Sequence, residues 1–565
     1  MMLSNLDLLA TAPGGVARLR ELILTLAVQG KLVLQDPKDE PASELLKKIR
    51  AEKDRLIAKG KIKRDKPLAE IGEEEKPFEL PAGWEWVRLN SLLQKIGAGS
   101  TPLGGREVYV PSGVKFLRSQ NVYDDGLRLH AVAYIKPATH AKMAGTVVVA
   151  NDLLFNITGA SIGRCAVVPC DFDEANVSQH VTIVRTVLPA LNAFLHTVLV
   201  SRHVQQAVMD VQVGVSREGL SIAKLGQFLI PVPPLAEQSR IVTRVEELMR
   251  LCDALEAKGK LEATQHAQLV STLLATLTGS ETPAQLTENW LRIATHFDLL
   301  LDRPEAVNDL EQTILQLAVR GLLVPQDPQD EPASVLLKKI RAEKDKLIAQ
   351  GKIKRDKPLP PIAEDELPFV LPQGWSWARF PELGEFGRGK SKHRPRNDPA
   401  LFNPPKYPLI QTGEVSRAKG IVQEVHSYYS DLGLAQSRMW PKGTLCITIA
   451  ANIAESAVLG FDSCFPDSVV GFVPAKTMGN VEYFLLFVET ARADLLAFAP
   501  ATAQKNINLE ILSSLLIPVP PLKELTRIVT RVAQLRRLCA DLRQRLTASQ
   551  STQAHLAEAL VENVA

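Results

Sequence analysis

Two stretches of this chain place apolar residues on a helical period. In "LAEQSRIVTRVEELMRLCDAL" they fall at Ile241, Val245, Leu248, Cys252 and Leu255, steps of four and three that make a heptad seam. The register is predicted to resume at Leu269 and Leu273. The second stretch has Ile528, Val532, Leu535, Cys539, Leu542 and Leu546, then Leu556 and Leu560. Each predicts a helix of roughly 40 residues, about 60 Å at 1.5 Å per residue. "PVPP" precedes each one, and is expected to stop a strand and set an abrupt entry into the helix. The economical arrangement pairs the two helices antiparallel as a spacer; the alternative packs each on its own half. Residues 41–59 predict a shorter helix. Pro41 suits its first turn, Leu45, Leu46, Ile49, Leu56 and Ile57 form its stripe, and Gly60 ends it.

These helices belong to a repeated frame. "DEPASELLKKIRAEKDRLIAKGKIKRDKPL" (39–68) returns at 330–359 with three of thirty positions changed. The same offset links "PFELPAGWEWVR" (77–88) to "PFVLPQGWSWAR" (368–379). "IPVPPLAEQSRIVTRVEELMRLC" (230–252) returns as "IPVPPLKELTRIVTRVAQLRRLC" (517–539). Between these blocks, residues 89–229 and 380–516 share little beyond length. Each insert opens on a strand-prone "GWxWxR" and continues with strand-like runs, "GTVVVANDLLFNITGASIGRCAVVP" (145–169) and "GTLCITIAANIAESAVLGFD" (443–462), as expected of a compact α/β domain. A kept frame with unlike inserts implies the same kind of job on different targets.

Composition narrows the class. With 565 residues, 45% of them apolar and 23% charged, the chain predicts two to four folded domains. A net charge of +3 leaves any polyanion binding to local patches. The basic tails "KGKIKRDK" (59–66) and "QGKIKRDK" (350–357) are such patches, suited to phosphates or to a partner subunit. Six cysteines without a C-x-x-C pair exclude a zinc ribbon and suit a reducing compartment. No signal peptide is expected of "MMLSNLDLLATAPGG", and no membrane span of a chain lacking 18 uncharged apolar residues in a row. A cytoplasmic protein is expected.

Catalytic motifs fail on inspection. "GEFGRGKS" (384–391) matches the phosphate-loop pattern, which needs a helix after Ser391. The chain continues instead as "KHRPRNDPALFNPPKYP", whose five prolines forbid an ordinary helix. The stretch reads as a basic loop of Lys390, Lys392, His393, Arg394 and Arg396, shaped for phosphate or groove contacts. "NPPK" (403–406) has Lys406 where an amino-methyltransferase motif needs an aromatic ring, and "PDS" (466–468) lacks the acidic-x-Lys of a nuclease core.

The order of these blocks carries a family resemblance. "PxPPLxEQxRIVxRVxEL" at 231–248, its copy at 518–535, "LLFNITGASIGRCAVVP" (153–169) and "NVSQHV" (176–181) resemble the DNA-specificity subunits of type I restriction–modification enzymes. The resemblance covers essentially the whole chain. The second insert departs from it, having "IAANIAES" and "PDSVV" in place of "TGASIGR" and "SQH". The resemblance implies a mixed α/β fold with two target-recognition domains in a pseudo-twofold arrangement, separated by two long antiparallel coiled-coil-like helices. The expected divisions are a helical arm (1–76), a first recognition domain (77–232), a central spacer helix (233–279), a linker and second arm (280–367), a second recognition domain (368–519) and a C-terminal spacer helix (520–565). Such a subunit has no active site and no cofactor of its own. Each recognition domain reads one half of a split sequence in double-stranded DNA, and the helices set the gap. Two methyltransferase subunits methylate adenine N6, and restriction–translocase subunits can join them. S-adenosylmethionine, ATP and magnesium belong to those partners. The alternative is a non-catalytic scaffold that binds protein or RNA; the basic loop and the signatures favour DNA.

Several residues are candidates for contact with DNA. Arg118, Gln120 and Asn121 suit base-edge readout, arginine to guanine and an amide to adenine. In "NITGASIGR", Asn156, Thr158, Ser161 and Arg164 line a loop where Gly159 and Gly163 let backbone approach a phosphate. Ser178, Gln179 and His180 are expected beside that loop. Ser216 and Arg217, and in the second insert Gln504, Lys505 and Asn506, with Asn508 close by, fall in loop-closing segments. Gln411 joins the basic loop among the candidates of the second insert.

Overall fold

The computed structural model describes residues 6–64, 68–213, 219–355, 358–450, 452–497 and 507–562. It is a mixed α/β protein with two sheet-rich domains joined by a long helix. The chain divides into two compact units, residues 1–262 with 550–565, and residues 263–549.

In the first unit the insert is clasped at its root. The strand Glu85–Arg88, from "GWEWVR", pairs antiparallel with Leu229–Val232, so that Trp86 faces Pro231. The strand therefore runs through the first proline of "PVPP", a position open to proline in a two-stranded ribbon, and Pro233 and Pro234 end it. Helices Gly15–Val28 and Ala42–Ala58 pack beside this clasp. Ile23, Ala27, Leu45 and Ile49 share one core with Trp84, Ile241, Val245 and Cys252. Pro41 is the residue just before the shorter helix, and Gly60 lies beyond its end with φ +66°. Beyond the clasp lie a four-stranded sheet, ordered Cys165–Val167, Leu153–Asn156, Val181–Thr186, Leu93–Ala98, and a five-stranded sheet in which Val114–Leu117 and Ala175–Val177 pair in parallel.

The second unit repeats this plan. Ser376–Arg379 pairs with Leu516–Val519, and helices Pro304–Val319 and Ala333–Ala349 stand where the first two stood. Its sheets reproduce the first pair. Gly384–Arg388, Val469–Pro474, Leu445–Thr448 and Ser456–Leu459 are neighbours in that order, with Ile421–Val422 added at the edge. Tyr407–Leu409 pairs in parallel with Ser463–Cys464. Two inserts with almost no common sequence thus share one fold. A helix that the frame repeat did not announce, Pro283–Thr295, precedes this half.

The long helices are Leu235–Thr278, 44 residues, and Leu522–Glu562, 41 residues. Their opening turns pack on their own halves, through Ile241, Val245 and Cys252 and through Ile528, Val532 and Cys539. The expected register does not persist. Leu269 is 52% exposed while Val270, Leu274 and Leu277 are buried, and Leu556 is 51% exposed while Ala557 and Val561 are buried. A helix of 3.6 residues per turn drifts about 20° per heptad, so four heptads after Ile241 the buried face has moved by nearly one residue step.

Candidate nucleic-acid interface

In the first unit, loops at one end of the sheets converge. The strand Val114–Leu117 leads into Arg118–Arg128, a loop closed by Asn121. Asn121 is 2% exposed; its Oδ1 accepts from Arg118 N at 3.0 Å and its Nδ2 donates to Arg128 O at 2.8 Å. With both ends of its amide spent on backbone, Asn121 shapes the loop and does not present an edge to a base, a correction to its assignment. Gln120 is exposed and Arg118 half-buried.

Asn156, fully buried, needs the same correction. Its Nδ2 donates to Ser119 O at 2.9 Å and to Ser161 Oγ at 3.2 Å, which ties the "TGASIGR" loop to the Arg118 loop. Ser178 is buried too; its backbone N donates to Leu117 O at 2.9 Å, which joins the "SQH" segment to the same strand end. These three build the site beneath its surface.

The exposed layer is a chain of polar groups. Thr101 donates to Gln179 Oε1, Gln179 Nε2 lies 3.1 Å from His180 Nε2, and His180 Nδ1 lies 2.5 Å from Thr158 Oγ1. His180 thus bridges Gln179 and Thr158 through its two ring nitrogens. Beside this chain, the Arg164 guanidinium stacks 4.5 Å from the centre of the Tyr123 ring, and Arg128 lies 5.2 Å from the same ring. Gly163, at φ +90°, packs so closely on Gln205 that an added Cβ would stand 2.3 Å from its Oε1. The segment with Ser216 and Arg217 lies outside the described residues. It ends at Leu220, whose N donates to Ile157 O at 2.8 Å, beside the Thr158 loop.

The second unit builds its counterpart on the same backbone bonds. Gly99 N donates to Val181 O and Gly389 N to Val469 O, both at 2.9 Å. Ile157 N donates to His180 O and Ile449 N to Ser468 O, both at 3.0 Å. Ile507 N donates to Ile449 O at 3.1 Å, as Leu220 does to Ile157. Thr448, fully buried, occupies the place of Asn156 and accepts from Glu455 N at 3.1 Å to close its loop. Gln504, Lys505 and Asn506 lie outside the described residues, and Asn508 caps the helix Leu509–Ser514 by accepting from Ile511 N.

This equivalence resolves "GEFGRGKS". Its first five residues form the strand Gly384–Arg388, and residues 391–398, which directly follow, are not helical. Gly389 is glycine because an added Cβ would stand 2.3 Å from Pro466 O and 2.4 Å from Phe465 O; Gly99 is crowded in the same way by Val177 O and Ser178 O.

The basic loop after this strand is anchored. Gln436 Oε1 accepts from Lys392 N at 2.6 Å and from His393 N at 3.2 Å, and Ser437 Oγ donates to Lys390 O at 3.0 Å. His393 Nε2 lies 2.7 Å from Asp398 Oδ2. The backbone N–H of Ala400 and then His393 hold the Asp398 carboxyl below the usual carboxylate range. Lys390, Lys392, Arg394 and Arg396 are exposed, but Arg394 donates to the carbonyls of Ser391 and His393, both at 2.8 Å, so its guanidinium is partly spent. Gln411, exposed, precedes the helix Thr412–Arg417 and donates to Ser427 Oγ at 3.4 Å. Arg396 Nη2 donates to Asp467 Oδ2 at 2.9 Å, and Arg388 to the Asp467 carbonyl.

Thr101, Tyr123, Arg128, Arg388 and Asp467 were not among the residues singled out from sequence. Thr101, Tyr123, Arg388 and Asp467 meet partners from other loops, which no local spacing announces, while Arg128 meets Tyr123 within its own loop. Among the described residues no group of three or more His, Cys, Asp or Glu is placed to hold a metal, and no helix is long and apolar enough to cross a membrane.

Comparison with known proteins agrees with this duplicated plan. A family model described as "Type I restriction modification DNA specificity domain" matches twice, over residues 81–265 and 372–549, more than half of the chain. The chain is 36% identical to the specificity subunit of the Escherichia coli type I restriction enzyme EcoEI, and 34% identical to that of EcoAI from the same organism. Both alignments cover 97% of this chain and 93% of the relative. A solved HsdS subunit from Thermoanaerobacter tengcongensis aligns at 18% identity with a TM-score of 0.40, over 86% of this chain and 98% of that one.

Proposed function

Because this chain belongs to the family of type I restriction–modification DNA-specificity subunits, we propose that it is the sequence-reading component of such an enzyme. Each recognition domain reads one half of a bipartite site in duplex DNA, and the long helices fix the spacing between the halves. Gln120, Thr158, Ser161, Arg164, Gln179 and His180 contact DNA in the first domain, with Arg118 beside them. Lys390, Lys392, His393, Arg396 and Gln411 do so in the second, with Arg394 contributing charge. Ser216 and Arg217, and Gln504, Lys505 and Asn506, close over the duplex.

One observation carries the reading. Two inserts of unlike sequence hang on one hydrogen-bonded skeleton, and each presents exposed polar or basic loops at the same end of its sheets. A common skeleton with different surface chemistry is what reading two different half-sites requires. This chain does no chemistry itself. Two methyltransferase subunits bind it and methylate adenine, restriction subunits join them, and S-adenosylmethionine, ATP and magnesium act in those partners within the cytoplasm. A protein- or RNA-binding scaffold is not favoured by the family membership.

Binding of the purified chain with its methyltransferase subunits to duplex DNA across a salt series tests the proposal. Phosphate contacts release counterions, so affinity falls steeply and log-linearly with salt. A complex with no salt-sensitive affinity for duplex DNA contradicts it.

A further inference from the structure

At one position of the shared skeleton the two domains carry different chemistry. The matched bonds of Ile157 with His180 and of Ile449 with Ser468 align Gln179 of the first domain with Asp467 of the second. Gln179, an amide, is held by the side chains of Thr101 and His180. Asp467 is flanked by two arginines, Arg396 on its carboxylate at 2.9 Å and Arg388 on its backbone carbonyl.

The consequence lies with Arg396. Its side chain is 54% exposed, and Asp467 fixes one nitrogen of its guanidinium. The loop beneath is pinned at Lys392 and His393 by Gln436, so the arginine does not swing on a free tether. A guanidinium tethered at one nitrogen keeps its other donors available, and two donors of the planar fork can meet O6 and N7 of guanine together. Among the described residues no carboxylate buttresses Lys390 or Lys392, which suit phosphate as point charges.

We infer that Arg396, oriented by Asp467, reads a guanine in the half-site bound by the second recognition domain. Asp467 acts as a positioning residue. This rests on the chain's role as a DNA-specificity subunit.

Adenine-methylation sequencing of cells that carry the partner subunits provides the test, with wild type, Arg396→Ala and Arg396→Lys compared. The expected result is a split motif in which both substitutions relax one G·C pair of one half-site about tenfold or more, the other half unchanged. Lysine keeps the charge and loses the fork, so a motif as stringent in Arg396→Lys as in wild type overturns the inference. A uniform fall in methylation without relaxation overturns it as well. A second measurement uses the wild-type complex and does not depend on how a variant folds. Replacing that guanine by 7-deazaguanine removes N7 and is expected to weaken binding about tenfold; unchanged affinity overturns the inference. Absence of any split motif in wild type refutes the specificity-subunit reading itself, whereas a split motif that Arg396 does not influence refutes the guanine contact alone.

Discussion

The indole Nε1 of Trp84 donates to Oε2 of Glu237 at 3.0 Å, and the same bond recurs between Trp375 and Glu524 at 3.1 Å. Each glutamate sits in the first turn of a long helix, 1% exposed, and each tryptophan comes from the "GW" that opens an insert. The bond rivets a recognition domain to the long helix at its C-terminal end.

Burial pushes the Glu237 carboxyl above its usual range, against the opposing hydrogen bonds of Trp84 and Gln35. Burial raises Glu524 in the same way. A carboxyl raised in the folded state contributes stability below its unfolded pKa of about 4.3, and loses that contribution as pH rises through the folded value. Glu237→Gln keeps an acceptor for Trp84 and removes the titration. Its unfolding free energy is expected to fall less than that of wild type between about pH 4.5 and 7.5. Urea unfolding at both pH values checks this; parallel pH profiles contradict it.

Arg164 is expected to touch phosphate. Arg164→Ala should weaken binding to all duplexes alike and lower the salt slope by about one, with the preferred sequence unchanged. Tyr123→Leu removes the ring under Arg164 and Arg128 and should give a smaller loss of the same kind. Binding isotherms across a salt series distinguish this from base readout, which would change the preferred sequence.

Gln120 and its neighbour Asn121 should separate cleanly. Gln120→Ala costs about 1–3 kcal/mol of discrimination at one base pair and leaves stability nearly unchanged. Asn121→Ala strands the Arg118 amide and the Arg128 carbonyl, and should cost about 1–3 kcal/mol of stability. Methylation motifs and denaturant unfolding of both variants check the pair.

Gly389→Ala drives a Cβ into two backbone carbonyls that have little room to move. It should disrupt the start of the strand Val469–Pro474 and impair the second half-site, by about 1–3 kcal/mol of stability or more. Ser391→Ala, which would cripple a phosphate loop, should change nothing. Unfolding and DNA-binding assays on the two variants check the contrast.

The frame was legible in the sequence because its signals are side chains. Heptad spacing at Ile241 to Cys252, the repeated "DEPAS" arm and the "GWxWxR" entries each name their element. The later register was lost because Leu269 and Val270 are both apolar, and only the helix's own twist chooses between them. The α/β class of both inserts was legible in their strand-like runs and in the family resemblance, but the position-by-position match of their skeletons was not, since bonds such as Gly99 to Val181 and Gly389 to Val469 run between backbones and place little demand on side-chain identity. The interface was half legible. Polar residues clustered where loops meet, but the sequence did not distinguish exposed Gln120 and Gln179 from buried Asn121, Asn156 and Ser178. The pairing of Asp467 with Arg396, 71 residues apart, is a property of the folded loops alone.

In the proposed function this chain directs adenine methylation by its partner subunits to a split DNA sequence. Base-resolution methylation sequencing of host DNA, with the gene present and deleted and the partner subunits expressed in both, tests it most directly. N6-methyladenine is expected to disappear from one two-part motif on deletion and to return on complementation. An unchanged methylation pattern, with the methyltransferase subunits present and active, contradicts it.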